Sequence, residues 1–485
     1  MKSDTGIRDF PDWFGPMLVK ELRRGLKLPG FVFSFVCLQA VFICITTMHA
    51  IAYQSHSEST DGEGFNAIFW FFITLQLVCI TPLRALNDLA TEQKARTLEL
   101  IFMTGLTPWR ITVGKWAALQ FQSALVVAAL LPYGIARYFF GGVNLSEDFV
   151  ILCGLMVLSA VASAAAIAVS SFPPLMRAVA AIGALFLYVA SSSSMLLARS
   201  GVSSIPRSSW LLWLFDAALL CLFALDSGAA RIAPPAFNHA GRQRLLSFAL
   251  LLPLPLMWLV RADAQAAQAQ LLFFAGVALL AAQQHLAAPP FLLRRHLEPF
   301  ARFGRLGCWL SLVLQPGWPG GILYLCAVEA LFFIFEGETS LALKGGSAEF
   351  RTPYIMMAGA ALLTGPLIWT AIRRRSANAA GEQFGFLLIA SALTGCAYSV
   401  LSSASILKVS GGLATCLTAA FPPAGFWFMV NSDRSAIDAS WIVAIAAFVG
   451  YAFLFSLFAR KYWRATGELF AEVCRDRKAP AAKTP

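Results

Sequence analysis

Apolar runs of membrane-crossing length alternate with short polar intervals along nearly the whole chain. In the first half they fall at 31–53, 65–83, 116–136, 149–172, 179–197 and 210–228. In the second they fall at 245–260, 271–288, 319–336, 354–372, 384–403 and 440–459, and a further run at 411–431 is interrupted by Pro422-Pro423. About 20 apolar residues carry a helix across the hydrocarbon core of a bilayer. Lipid admits only helices or closed barrels, because every backbone polar group must be satisfied internally. The pattern therefore predicts an all-α polytopic membrane protein of about twelve transmembrane helices in two six-helix halves, 31–230 and 245–459, joined by a basic linker at 231–244. The fourth run is crowded with Ser and Ala from Ser159 to Ser171, small residues that let helices approach closely in lipid.

Composition agrees with this reading and charge orients it. Of 485 residues, 58% are hydrophobic and 13% charged, against about 25% charged in a soluble domain. A net charge of +11 in a soluble protein would point to nucleic acid; in a membrane protein it is first a matter of topology. With the N-terminus inside and 411–431 re-entrant, 29 of the 37 Lys and Arg lie on the inner side and 8 on the outer. If 411–431 spanned, the basic tail 460–485 would be expelled. Both termini are thus expected in the cytoplasm of a bacterial cell, in its cytoplasmic membrane, with no nucleic-acid partner. The first apolar run follows a long polar lead and reads as an uncleaved signal anchor. The cysteines contain no C-x-x-C pair and mostly sit in apolar runs, as packing residues.

Two polar stretches look built for an interface. The interval 84–115 has Leu86, Leu89, Ala90, Leu98, Ile101 and Phe102 at spacings near three and four, with Asp88, Glu92, Gln93, Lys94 and Arg96 on the remaining face. Gly105 breaks this amphipathic pattern, and Thr107-Pro108 can start the next helix. Residues 1–30 contain PMLVKELRRGLK, with Met17, Leu18, Leu22 and Leu26 near one side and Lys20, Glu21, Arg23, Arg24 and Lys27 around the rest. Both stretches predict helices lying along the membrane surface, a pattern that an interfacial helix with no docking role would share.

The order Glu92, Thr97-Leu98-Glu99, Leu106-Thr107-Pro108 and Gly114-Lys115 resembles the loop between the second and third membrane helices in permease subunits of type-2 ABC exporters. The family's glycine before the threonine is Arg96 here. The P-x-x-x-K-E-L run from Pro16 to Leu22 is similar to the way such permeases begin. The resemblance covers roughly 10–245 and implies a coupling helix at 84–115 that docks on a separate P-loop ATPase subunit, which would hold ATP and Mg. It further implies a second permease chain or the second half of this one completing the path, and a re-entrant segment before the last span. The linker 289–318, with Arg294, Arg295, Arg302 and Arg305, occupies a comparable place in the second half without the T-L-E and G-K elements.

No catalytic apparatus stands out. There is no G-x-x-x-x-G-K-[ST] phosphate loop, the five histidines lack metal spacing, and no nucleophile–base set gathers in one polar loop. The chain is expected to be no enzyme and to hold no cofactor or metal. Of the ionisable residues inside apolar runs, Asp216 in WLLWLFDAALL and Glu329 in ILYLCAVEALFFIF are the candidates, each costing ~2.5–3.5 kcal/mol at a helix centre on insertion scales. Either a helix–helix hydrogen bond or a place on a transport path accounts for them. They keep open an ion-coupled secondary transporter; a membrane-embedded transferase would need a polar catalytic cluster, which the loops do not offer.

Overall fold

A computed structural model describes residues 16–54, 61–94, 102–103, 105–140, 145–174, 177–179, 181–183, 207–234, 237–259, 264–286, 293–342, 352–372, 389–390, 422–423 and 437–478, with a few single positions between them. The described residues are helical, and eight of their helices are long and apolar enough to cross a membrane. The chain divides into two compact units, 1–233 and 234–485.

In the first unit, α1 (Pro16–Lys27) leads into α2 (Pro29–Gln54). Then α3 (Asp61–Thr74) passes through a π turn, Leu75–Ile80, into α4 (Thr81–Ala85), followed by α5 (Asp88–Lys94), α6 (Pro108–Phe140), α7 (Leu145–Ser170) and α8 (Arg207–Ile232). The π turn has a local cause. Pro82 has no N–H and its ring crowds the carbonyl four residues back, so the ladder slips. Thr81 spans the slip by donating both its N–H and its hydroxyl (3.0 Å) to the Gln76 carbonyl. The core of this unit gathers Phe31, Phe42, Phe69, Ile73 and Leu77 against Val126, Leu130 and Leu155. The small residues of α7 are buried in its second half, where Ser159, Ser163, Ala164 and Ser170 have no exposed surface, while Phe149 and Val150 of its first half are exposed. A Cβ on Gly228 of α8 would lie 3.4 Å from the Ala168 Cα. Gln120 donates to Ser163 Oγ at 2.6 Å and the Trp116 indole to the Ala160 carbonyl at 2.9 Å, tying α6 to α7.

In the second unit, α9 (His239–Ala249) and α10 (Pro253–Leu259) occupy the run expected to span at 245–260. Two short helices stand there because the backbone turns at Leu250–Leu252 and Pro253 starts a new helix. Next come α11 (Ala264–Leu286), α12 (Arg294–Leu297), a 3₁₀ turn at Phe300–Phe303, α13 (Gly304–Leu314), α14 (Trp318–Ala342), α15 (Thr352–Ile372) and α16 (Ile437–Lys478). Most of the expected spans 179–197 and 384–403, and of the 411–431 segment, lies outside the described residues. α16 continues as helix well past the expected end of the last span at 459, into the basic tail. α13 exposes Leu306, Trp309 and Leu310 on one face.

A polar knot holds this unit's second half together. Arg244 of α9, with no exposed surface, donates to the Val313 carbonyl and, at 2.9 Å, to that of Gln315. Asn238 donates to the Leu314 carbonyl at 3.3 Å. These carbonyls end α13, where the helix dipole is negative, so a cation there is favoured. Burial pushes the Arg244 guanidinium below its ordinary range, and the Tyr324 ring beneath it acts in the opposite direction. The turn that follows needs Gly317 at φ 98°. α16 is pinned to the same turn by Thr466 to Gln315 Oε1 (3.0 Å), Trp463 to the Pro319 carbonyl (3.0 Å) and the stack of Trp318 on Phe455. The sequence placed Arg244 at the end of a basic linker; the structure encloses it.

Candidate functional site

The residues singled out in the 84–115 interval converge where α1, α5 and the start of α6 meet. Leu106 packs in a cluster with Met17, Leu86, Leu89, Ile111 and Ile167, and Phe102 joins it. Gly105 takes φ 76° and closes a turn onto the Phe102 carbonyl (3.0 Å), which is the break its position predicts. Thr107 then caps α6, its hydroxyl accepting from the Arg110 N–H at 3.4 Å, with Pro108 at the first helical position. Met103, Gly105, Thr107 and Arg110 are all exposed, so the turn presents an outward tip. Thr97, Leu98 and Glu99 lie outside the described residues.

Behind the tip sits a buried charge cluster. Lys115 Nζ lies 2.9 Å from Glu92 Oε1 and 3.4 Å from Glu21 Oε1, and its side chain is 2% exposed. Three elements far apart in sequence thus share one ammonium group. A buried charge persists only when paired, and two carboxylates around one lysine meet that demand. Lys115 is enclosed about two turns inside α6. Glu21 was expected among the charges around the outside of α1. It is buried because it follows Met17 by four residues, on the face turned to α6, while Lys20, Arg23, Arg24 and Lys27 stay exposed.

Glycines set how closely α1 and α6 approach. A Cβ on Gly114 would come 3.0 Å from Met17 Cγ, and a Cβ on Gly25 would overlap the Gln122 amide. Gly114 thus precedes Lys115 for a packing reason: the lysine can reach Glu21 only if the backbones meet. Gln122 accepts from Arg84 Nη2 at 2.8 Å, and Arg84 lies over the Phe31 ring at 5.0 Å. Arg24 and Arg84 line, with Glu21, Lys115 and Gln122, an open-sided pocket of about 70 Å³. Glu21 and Arg84 were not selected from the sequence as site residues. Their only signal was a carboxylate and a cation at the ends of otherwise apolar helix faces.

The two carboxylates singled out in the apolar runs part company. Asp216 on α8 is half-buried. Glu329 on α14 is 1% exposed, and neither carboxyl oxygen has a hydrogen-bond partner among the described residues. Among the described residues no three His, Cys, Asp or Glu gather as a metal site. No protein-family model, curated protein or solved structure matches the chain.

Proposed function

We propose that the chain is the membrane permease subunit of an ABC exporter, coupled through the 84–115 loop to a separate P-loop ATPase that binds ATP and Mg. In this reading both termini are cytoplasmic, twelve helices span a bacterial cytoplasmic membrane, and a second permease chain or the second half of this one completes the path. The observation that carries it is the way Leu106, Thr107, Pro108, Gly114, Lys115 and Glu92 come together with the N-terminal helix, leaving Met103, Thr107 and Arg110 on an exposed tip. A docking element has to be exposed at its tip and stiff behind it. The ion cluster gives that stiffness, since moving the tip drags on α1 and α6 together. ATP-driven closure of the partner would then be passed to the spans as rigid-body movement.

The test is assembly. Should a neighbouring reading frame encode a P-loop ATPase, the chain is co-expressed with it and the amount of ATPase that co-purifies is measured; a neighbourhood with none would count against the reading. Glu99→Ala is expected to leave membrane abundance intact while lowering co-purification or uncoupling ATP hydrolysis. Full assembly with full coupling in that variant would end the docking role of this loop. The chain purified without a partner is expected to bind no ATP, for want of a phosphate loop; ATPase activity in such a preparation would contradict the reading.

A further inference from the structure

Among the described residues, the most deeply buried carboxyl of the second unit is one that the coupling argument leaves unused. Glu329 is the twelfth residue of α14, about 17 Å along the axis from Trp318 and about 20 Å from Ala342. It therefore sits near mid-helix, flanked on its own helix by Leu325, Val328 and Phe332, all essentially without exposed surface. Across from it, α15 presents Gly359. A Cβ added there would overlap Glu329 Oε1 and lie 3.2 Å from Phe448 Cε2 of α16. The carboxyl thus occupies the space that a side chain at 359 would fill, and an aromatic ring closes the seat.

Such a seat is hostile to a carboxylate ion. No Lys or Arg occurs in the spans of α11, α14 and α15, and the first in α16 is Arg460, twelve residues beyond Phe448. The other ionisable groups on the elements packed here stand off along the helices. Cys326, one turn before Glu329, is the near one and carries no positive charge; Glu336 and Glu338 lie two turns or more after, Tyr354 is in the first turn of α15, Tyr451 follows Phe448 by three residues, and His285 is in the last turn of α11 beside Gly321. Arg244 meets α14 at Gly320 and Tyr324, more than one turn before Glu329. A hard metal ion wants six or more oxygen ligands, and Gly359 and the Phe448 ring bring no side-chain oxygen. The compensating charge that fits is a proton.

We propose that Glu329 is a proton-binding site, seated as the neutral acid between α14, Gly359 of α15 and Phe448 of α16. Parting of α14 from α15 admits water, the acid ionises, and its proton leaves to that water; closure of the seat requires a proton to return. The spacing of these two helices is thereby linked to proton concentration. The inference uses the second unit alone, so it stands or falls separately from ATPase docking.

The experiment uses the full-length chain in phospholipid vesicles. Infrared spectra are recorded in steps from about pH 6 to about pH 10, the range in which buried carboxyls titrate. A protonated-carboxyl C=O band is expected that fades as pH rises and is missing from Glu329→Gln. Gly359→Ala, which evicts the carboxyl from its seat, is expected to weaken the band at about pH 6 although Glu329 is present. Should either variant misfold, dicyclohexylcarbodiimide decides on the unaltered chain. The neutral acid adds its O–H across a C=N bond of the reagent to give an O-acylisourea, whose acyl group then shifts from oxygen to nitrogen, and the resulting N-acylurea is mapped by peptide mass. Labelling at Glu329 is expected to fall about tenfold per pH unit at the alkaline end. A band absent at about pH 6, a band unaffected by Glu329→Gln, a band constant to about pH 10, or no adduct at Glu329 would each overturn the proposal.

Discussion

Lys115 and Arg244 are both cations removed from water, and the protein satisfies them in opposite ways. Lys115 meets two carboxylates from other elements, at 2.9 and 3.4 Å. Arg244 meets neutral backbone carbonyls at the end of one helix. The difference decides what each can do. An ion cluster spread over α1, α5 and α6 ties together segments that the sequence separates by more than 70 residues between Glu21 and Glu92. Its strength depends on charge, so a partner's charges or a shift in geometry can retune it. The carbonyl-bound arginine caps a single turn and fixes it whatever approaches from outside. The first arrangement suits a part that must respond, the second a part that must not.

The contrast can be broken from the cluster side with the largest effect. Lys115→Met strands two buried carboxylates, and removing one partner of a buried ionic group costs about 3–5 kcal/mol. Thermal unfolding in detergent should show a marked loss of stability, and adding Glu92→Gln should restore part of it. If the double variant is no more stable than Lys115→Met, the carboxylate repulsion is not the source of the loss.

Arg244→Met should cost less. It leaves only neutral acceptors unpaired, about 1–3 kcal/mol, and it removes the burden of a buried charge. Because those acceptors form the turn that pins α16, the loss should also appear as faster amide exchange at 313–319. A loss larger than that of Lys115→Met would reverse the comparison.

Gly25→Ala probes the spacing of α1 and α6. Its Cβ would strike the Gln122 amide, a flexible end that can move, so about 1–3 kcal/mol of overpacking is expected. Gln122→Ala in the same chain should relieve it, measured again by thermal unfolding.

The smallest effect belongs to Arg294, which pairs with Asp476 at 2.5 Å on an exposed surface. Salt and water screen such pairs, so Arg294→Ala should leave the unfolding temperature unchanged within error.

What could be read in the sequence was local. Gly105, Thr107 and Pro108 announce a turn and a helix start through their own backbone preferences, and the structure uses each in that way. Eight membrane-length helices follow from apolar runs alone. The pairing of Lys115 with Glu21 was not legible, because no periodicity relates positions 94 apart and because Glu21 looks like one more charge on a basic helix. Arg244 was misplaced for a related reason. A polar residue in a polar interval reads as solvated, and only the carbonyls of α13, some 70 residues later, reveal why it is enclosed. The run 245–260 looked continuous because apolar residues surround Pro253, yet the proline divides it.

The π turn at Leu75–Ile80 carries a geometric debt that the charge cluster settles. One residue in an α-helix turns the chain by about 100°. The slip between Gln76 and Thr81 inserts that rotation ahead of everything that follows. Arg84 meets Gln122, and Glu92 meets Lys115, only after this offset has been applied. The aim of the cluster is therefore set upstream, at the slip before Pro82. A shift of the slip by one position along the helix would swing both side chains about the helix axis without breaking a span. Pro82 acts as an angular setting for a contact more than two turns away.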